Sequence, residues 1–363
     1  MYVKGKNYVR TNGALRPLQS WAAADLSVEP YAAPFIAAFG AAGPAFLNSW
    51  IVGLANGTDA QFTTPAERAA ALVGVVHGSV QSNYFMHEVD AALLKTRTND
   101  AATRNVTSGA PHNIDEAWAI WAGQGDAASI CPLAGVAKLA TDAAKAPSVG
   151  PAVLAAVQAA YAATVAGDAA ALERARETIV SKAVVLPETL LLLAAAQSID
   201  AAVKAGVSPA ALQATAYSYF RTIWPLIGAD SDAAKAVLAA INLGGAPAAN
   251  VFTAVRDVVP AWAGRFGIAD ADLGAFAKPA PPAPAPVKPA AKCAKAALAN
   301  RTIPSKFDLG KPRQAASPGA CCALCAAAKS CRGWTLSPRG VCQLKSSGAA
   351  QYQSGGYVSG RSA

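Results

Sequence analysis

Lys278-Pro-Ala-Pro-Pro-Ala-Pro-Ala-Pro-Val-Lys-Pro289 divides the chain into two chemically different parts. Its six prolines fix φ and remove backbone donors, so the stretch excludes helix and favours polyproline II. At ~3.1 Å per residue it would act as a semi-rigid spacer of roughly 40 Å. Upstream, alanine dominates; downstream, cysteine and basic residues do. The expected organisation is therefore a helical domain over 1–276, a Pro/Ala-rich linker over 277–290 and a disulfide-rich module over 291–363.

Charge follows the same division. The chain carries a formal +9, which invites a nucleic-acid reading, but residues 1–275 hold 18 Lys+Arg against 21 Asp+Glu. Residues 276–363 hold 13 Lys+Arg and Asp308 alone, so the parts carry −3 and +12. Six of the seven cysteines, Cys293, Cys321, Cys322, Cys325, Cys331 and Cys342, also fall in this tail, and only Cys131 lies upstream. Such density reads as a disulfide module formed outside the cytosol, which argues against nucleic acid as a partner. A zinc site is the competing reading, yet Cys322-x2-Cys325 has no second spaced pair, and all three histidines precede residue 113. Three sequons, at Asn56, Asn105 and Asn300, fit passage through a secretory pathway. Met1 to Arg10 contains no apolar stretch of signal-peptide type, as expected if such a segment has been removed.

The residues upstream of the linker predict helices near 31–55, 65–97, 113–123, 128–145, 149–166, 168–184, 187–205, 208–228, 231–243, 247–265 and 269–276. Good helix formers fill these segments, and Gly, Pro or Asp/Ser clusters punctuate them. Thr64-Pro65 and Ser208-Pro209 supply a cap followed by a first-turn proline, and Asn113-Ile-Asp-Glu116 has capping-box spacing. The uncharged run from Tyr31 to Thr58 could span a bilayer by length, but Pro34, Gly40, Gly43 and Pro44 interrupt it, predicting a buried hairpin and no transmembrane segment. Val89-Asp-Ala-Ala92 and Ile199-Asp-Ala-Ala202 suggest an internal duplication. The fold class expected is mainly α, a multi-helix bundle joined to a small α+β module.

No nucleophile elbow, HExxH or glycine-rich phosphate loop is present. Instead His77, Tyr84, His87, Glu88, Asp90, His112, Asp115 and Glu116 crowd one window. Imidazole, phenol and carboxylate together suit iron or manganese better than zinc. A reading without metal is also available, since the capping box and helix dipole account for Asp115 and Glu116, and solvation accounts for Asp90. Glu173 and Glu177 share a face, but Arg174 and Arg176 between them predict a solvated charge pattern.

Tyr84-Phe-Met-His-Glu-Val-Asp-Ala-Ala92, His112-Asn-Ile-Asp-Glu-Ala-Trp-Ala-Ile-Trp-Ala-Gly123 and Cys131-Pro resemble the low-iron-inducible periplasmic proteins of green algae, also called iron-assimilating proteins. Ala216-Tyr-Ser-Tyr-Phe-Arg-Thr-Ile-Trp-Pro225 resembles that family's second-half motif, with Gln213-Ala-Thr where the family carries an acidic residue and glycine. The resemblance implies a secreted, mostly helical, non-enzymatic protein of iron uptake, with ferrous or ferric iron as cofactor. His77, Tyr84, His87, Glu88, His112 and Glu116 are then the candidate ligands. The tail is similar to the PAN/Apple module, in the order Cys321-Cys-Ala-Leu-Cys325, Cys331-Arg-Gly-Trp-Thr-Leu336, Cys342-Gln-Leu-Lys345 and Gly355-Gly-Tyr-Val-Ser-Gly360. That likeness implies a helix on a small antiparallel sheet, bridges Cys325–Cys331 and one of Cys321 or Cys322 to Cys342, and the other of these to Cys293. It also implies a protein or carbohydrate ligand. The basic tail would then tether an iron-binding bundle to acidic cell-wall polysaccharide or a surface protein; the rival is a matrix or adhesion protein in which the bundle is only a spacer.

Overall fold

The computed structural model describes residues 17–39, 46–98, 100–123, 133–278, 298–302, 308–328, 330–346 and 352–361. The chain separates into two compact units, Met1–Lys278 and Pro279–Ala363. The polyproline stretch, Cys131 and Cys293 lie outside the described residues.

The first unit is helical, with no strand among its described residues. Short helices α1 (Leu18–Ala22), α2 (Ala33–Phe39) and α3 (Phe46–Asn56) lead into a long one formed by α4 (Pro65–Gly74), a π segment (Val75–Val80) and α5 (Gln81–Arg97). After a 3₁₀ turn (Ala101–Arg104) come α6 (Ala110–Ala122), α7 (Leu133–Ala144) and α8 (Gly150–Ala166). A second long helix follows the same plan: α9 (Ala169–Ile179), a π segment (Val180–Val185) and α10 (Leu186–Lys204). The remainder is α11 (Ala210–Ile227), α12 (Asp232–Ile241), α13 (Val251–Val258), α14 (Pro260–Ala263) and two 3₁₀ turns, Gly264–Phe266 and Asp270–Phe276.

Several predicted boundaries are corrected. Pro187 was expected to separate two helices, but the chain runs straight through it from Ala169 to Lys204. The π segment just before it widens the turn, where a proline lacking its N–H is least costly. The expected capping box at Asn113 does not form, because α6 begins at Ala110 with Gly109 at its cap and Pro111 in its first turn. Asn113 is thereby freed for other bonds. Ser208 does not cap α11, whose cap position is Pro209. The box at Thr64 does form: the Glu67 N–H donates to Thr64 Oγ1 at 3.2 Å, and Glu67 Oε2 accepts from the Thr64 N–H at 2.8 Å.

The second long helix is the core of the bundle, with α7, α11 and α13 packed around α10. It is long and apolar enough to cross a membrane by length and composition, yet 89% of its most apolar window is buried in the unit. α11 lies along α4 and the first π segment, and close approach is permitted by glycine. A Cβ at Gly74 would overlap Ser218 Oγ and stand 2.8 Å from Ser218 Cβ; one at Gly78 would stand 2.7 Å from Thr222 Oγ1. Thr222 Oγ1 in turn shares a 2.9 Å hydrogen bond with Ser79 Oγ. α2 and α3 dock on the far end of α11 through Arg221, whose guanidinium lies 4.2 Å from the Phe39 ring and 3.8 Å from the Trp50 ring. This cation–π clamp holds a largely buried charge against two aromatic faces.

The second unit is an antiparallel sheet in the order β1 (Leu298–Thr302), β5 (Tyr352–Arg361), β3 (Gly333–Leu336), β4 (Val341–Lys345), β2 (Arg313–Gln314). Helix α15 (Pro318–Ala327), capped by Ser317, packs on β3, β4 and β5. It carries Cys321, bridged to Cys342, and Cys325, bridged to Cys331. Cys322 is also oxidised. Trp334, 1% exposed, fills the small core between these bridges.

The Gly74 contact sets a measurable limit on the first unit. Gly74→Ala should cost about 1–3 kcal/mol in urea denaturation followed by circular dichroism, since overpacking forces backbone shifts. Adding Ser218→Gly, which vacates the colliding atoms, should recover most of that loss.

Candidate functional site

The window of candidate ligands resolves into two neighbourhoods on α5 and one residue apart from both. On one side, the Tyr84 ring stacks on Trp21 at 4.9 Å and lies 5.0 Å from the His87 ring. His87 Nδ1 pairs with the Glu29 carboxylate. Glu29 is only 5% exposed, and burial pushes its carboxyl up while the His87 partner pulls it back down. The segment carrying Trp21 and Glu29 thus covers this face of α5.

On the other side, buried Glu88 faces α6. Asn113 Nδ2 donates to Glu88 Oε2 at 2.6 Å, and Lys95 Nζ donates to Asn113 Oδ1 at 2.7 Å. The Glu88 carboxyl is raised first by burial and then by the neighbouring Glu116 charge, with Asn113 opposing. His112 Nε2 lies 3.7 Å from Glu116 Oε1, half exposed at the edge of the pair. Across the α5–α6 hairpin, Glu116 thus neighbours both Glu88 and His112.

His77 is not part of either group. It sits in the first π segment, roughly 15 Å along the helix axis from Glu88 at 1.5 Å per residue. Its Nδ1 is buried without a hydrogen-bond partner, and burial lowers its pKa, which favours neutral imidazole. Among the described residues, no group of three or more His, Cys, Asp or Glu side chains is placed to hold a metal ion. Asp115, expected at a helix start, lies inside α6 and is exposed.

Asp90 departs most from expectation. Solvation was expected on the helix surface, but Asp90 is fully buried. Its Oδ1 accepts from Arg176 Nε at 2.5 Å, and its Oδ2 accepts from Arg176 Nη2 at 3.3 Å and from the Tyr31 N–H at 2.7 Å. Arg176 is accordingly not part of a solvated pattern, whereas Glu173 does pair with exposed Arg97. Asp200, the counterpart of Asp90 in the repeated Asp-Ala-Ala segment, accepts from the Val251 and Phe252 N–H groups at 2.7 and 3.0 Å. Both aspartates accept from backbone amides distant in sequence. Gln213, standing where an acidic residue was expected, donates to the carbonyls of Ile241, Asn242 and Gly245 at the end of α12. Its role there is structural.

Glu188 on α10 is a second buried acid. It is 2% exposed, its Oε2 has no hydrogen-bond partner, and burial raises its pKa well above the ordinary carboxylate range. One glutamate in an apolar helix carries no spacing signal, so its burial is not legible in the sequence. Of the sequons, Asn56 and Asn105 are exposed, and Asn105 Oδ1 accepts from the Thr107 N–H at 2.8 Å and the Thr107 hydroxyl at 2.7 Å. The Asn300 side chain lies outside the described residues.

Two measurements follow from these buried acids. Arg176→Met leaves the Asp90 carboxylate uncompensated and should cost about 3–5 kcal/mol in chemical denaturation, with Asp90→Asn/Arg176→Met recovering part of it. Glu188 keeps its proton in the folded chain at pH values where the unfolded chain has released it. Its contribution is thus present in acid and lost as pH rises through the raised folded pKa. Glu188→Gln, which mimics the protonated acid, should flatten that part of the stability–pH curve.

The profile of the low iron-inducible periplasmic proteins matches residues 1–242, the span that holds both long helices and the α5–α6 hairpin. No curated protein and no solved structure matches the chain. The family match covers about two thirds of the chain, residues 1–242 of 363, and on that ground the chain belongs to the low iron-inducible periplasmic protein family.

Proposed function

We propose that the helical unit is a non-enzymatic iron-binding element of the periplasm that takes up ferrous or ferric iron at the α5–α6 hairpin. The observation that carries this reading is the buried Glu88 carboxyl, held by Asn113, with the charge of Glu116 acting on it. A cation entering there displaces the proton that burial favours on Glu88 and offsets the repulsion of the Glu116 charge. His112 completes a mixed oxygen and nitrogen set of the kind that suits iron. Ligands on bonds of about 2 Å stand about 3 Å apart, so the 3.7 Å separation of His112 from Glu116 needs only a small adjustment. Tyr84 and His87 act from the adjoining face, where Trp21 and Glu29 hold them; His77 takes no part.

Full-length protein dialysed against iron should retain metal. Glu88→Gln and Glu116→Gln should each weaken retention about tenfold or more, while His77→Ala leaves it unchanged. Because a proton competes for Glu88, affinity should rise with pH above the ordinary carboxylate range. Retention unaltered in both glutamine variants would remove the site and favour the matrix or adhesion reading.

For the second unit we propose a PAN/Apple-like module that tethers the protein to acidic cell-wall polysaccharide or a surface protein. Supporting this, Lys311, Arg313, Arg332 and Arg339 are exposed, while Lys345 is buried and neutralised by Asp308, the sole acid of the tail. Four separate exposed cations bind a polyanion as spread point charges with steep salt dependence. On a sulfated-polysaccharide column the full chain should be retained at low salt and released as salt rises. Reversing these four charges should bring it near the void volume.

A further inference from the structure

The second π segment borders a cavity that the hairpin site does not use. It has a volume of ≈ 700 Å³, and its walls come from the end of α9, the start of the π segment, the chain entering α2, the end of α11 and the 3₁₀ turn at Gly264–Phe266. Ser181 Oγ donates to the Phe266 carbonyl at 2.5 Å, which joins the π segment to that turn and fixes two of the walls. Single-turn π segments are frequent at functional sites. Three cations line the cavity, Arg176, Lys182 and Arg265, but they are not equivalent. Buried Asp90 accepts from Arg176 Nε and Nη2, and Asp272 accepts from Lys182 Nζ at 2.8 Å, so these two are held in place and neutralised. Arg265 Nη2 instead donates to the Leu226 carbonyl at 2.7 Å, and its guanidinium lies 5.2 Å from the Phe266 ring. Neither contact neutralises it, and that bond uses one of the five donors of a guanidinium. Glu177, the acid on the same lining, is exposed, so solvent screens its charge. Beside Arg265 the lining is apolar, with Pro34, Pro225, Leu226 and Phe266.

We propose that this cavity binds a small organic monocarboxylate, with the carboxylate on Arg265 and a ring or short apolar body against the prolines and Phe266. Charge decides the valence of the ligand. Two of the three cations already have their acids, so the third balances one negative charge, and a dianion would carry an unmatched one. Shape decides the head group, because a planar guanidinium meets a carboxylate through parallel N–H donors. The walls decide the body: a cavity of this size that combines apolar surface with a few fixed polar groups suits a small organic molecule, whereas a bare inorganic anion would leave the prolines and Phe266 without contacts. Glu88, Glu116 and His112 are not part of this lining, so the cavity stands apart from the hairpin site.

The full chain titrated with benzoate in a calorimeter should show saturable binding at one site. Benzamide, of the same shape without the charge, and inorganic phosphate, charged without the apolar body, should each bind about tenfold or more weakly. Arg265→Gln should weaken benzoate binding to a similar extent, and Arg265→Lys should restore part of it, since the charge returns without the planar fork. Glu177→Gln should strengthen binding by removing a like charge. If Arg265→Gln does not fold, as judged by circular dichroism, Thr178→Trp carries the test: Thr178 is an exposed lining residue, and a large side chain there narrows the cavity and should weaken benzoate binding. Absence of saturable benzoate binding, equal affinity for benzoate and either benzamide or phosphate, or an affinity unchanged in the folded variant of this pair would overturn the proposal.

Discussion

The helical unit depends on the buried pairing of Asp90 with Arg176. It joins α5 to α9, so it ties together the two long helices on which the bundle is built, and it also anchors the chain entering α2 through the Tyr31 amide. A buried ion pair adds little when compared with a well-packed apolar substitute, but it strongly disfavours alternatives in which either charge is left alone. In a core built from alanine and leucine, whose helix faces resemble one another, that discrimination matters more than net stabilisation. Many registers would bury similar apolar area; only one also satisfies this carboxylate.

The glycines and π segments act on the same problem from the side of shape. Gly74 and Gly78 let α11 approach the first long helix closely, with Ser218 and Thr222 filling the space that side chains would otherwise occupy. Each π segment widens a turn within a long helix and changes which residues face inward beyond it. Buried polar groups lie in or just beyond these segments, among them Ser79 and Glu188. The candidate iron hairpin lies beyond the first π segment and the buried acid beyond the second.

Helix content and the boundary between units are visible in composition and spacing, because those signals are local; the disulfide pairs of α15 came only with the likeness of the tail to a known module, which left Cys321 and Cys322 open as the partner of Cys342. The Thr64 box is likewise a four-residue pattern with a four-residue cause. The course through Pro187 was not visible, since proline at that point reads as a break unless the preceding turn is known to be wide. The same limit applies to Asp90, whose guanidinium partner lies 86 positions away on a helix that looked solvated. In the candidate site, the cluster around Glu88 was legible as a density of ligand types. Its division was not: the π segment removes His77, and an earlier start to α6 turns Asn113 from a cap into the partner of Glu88.

The second long helix carries one further implication, for export. A protein of the periplasm crosses a membrane unfolded, and this helix is apolar enough to be mistaken on the way for a segment that should stay there. Pro187 and Glu188 interrupt that run between Val184-Val-Leu186 and Leu190-Leu-Leu-Leu193, in the middle of the stretch most prone to partition. A charged side chain near the centre of an inserting helix costs roughly 2.5–3.5 kcal/mol, enough to tip a borderline segment toward passage. The acid that the folded core must accommodate thus stands where it would oppose partition of the unfolded helix into a bilayer.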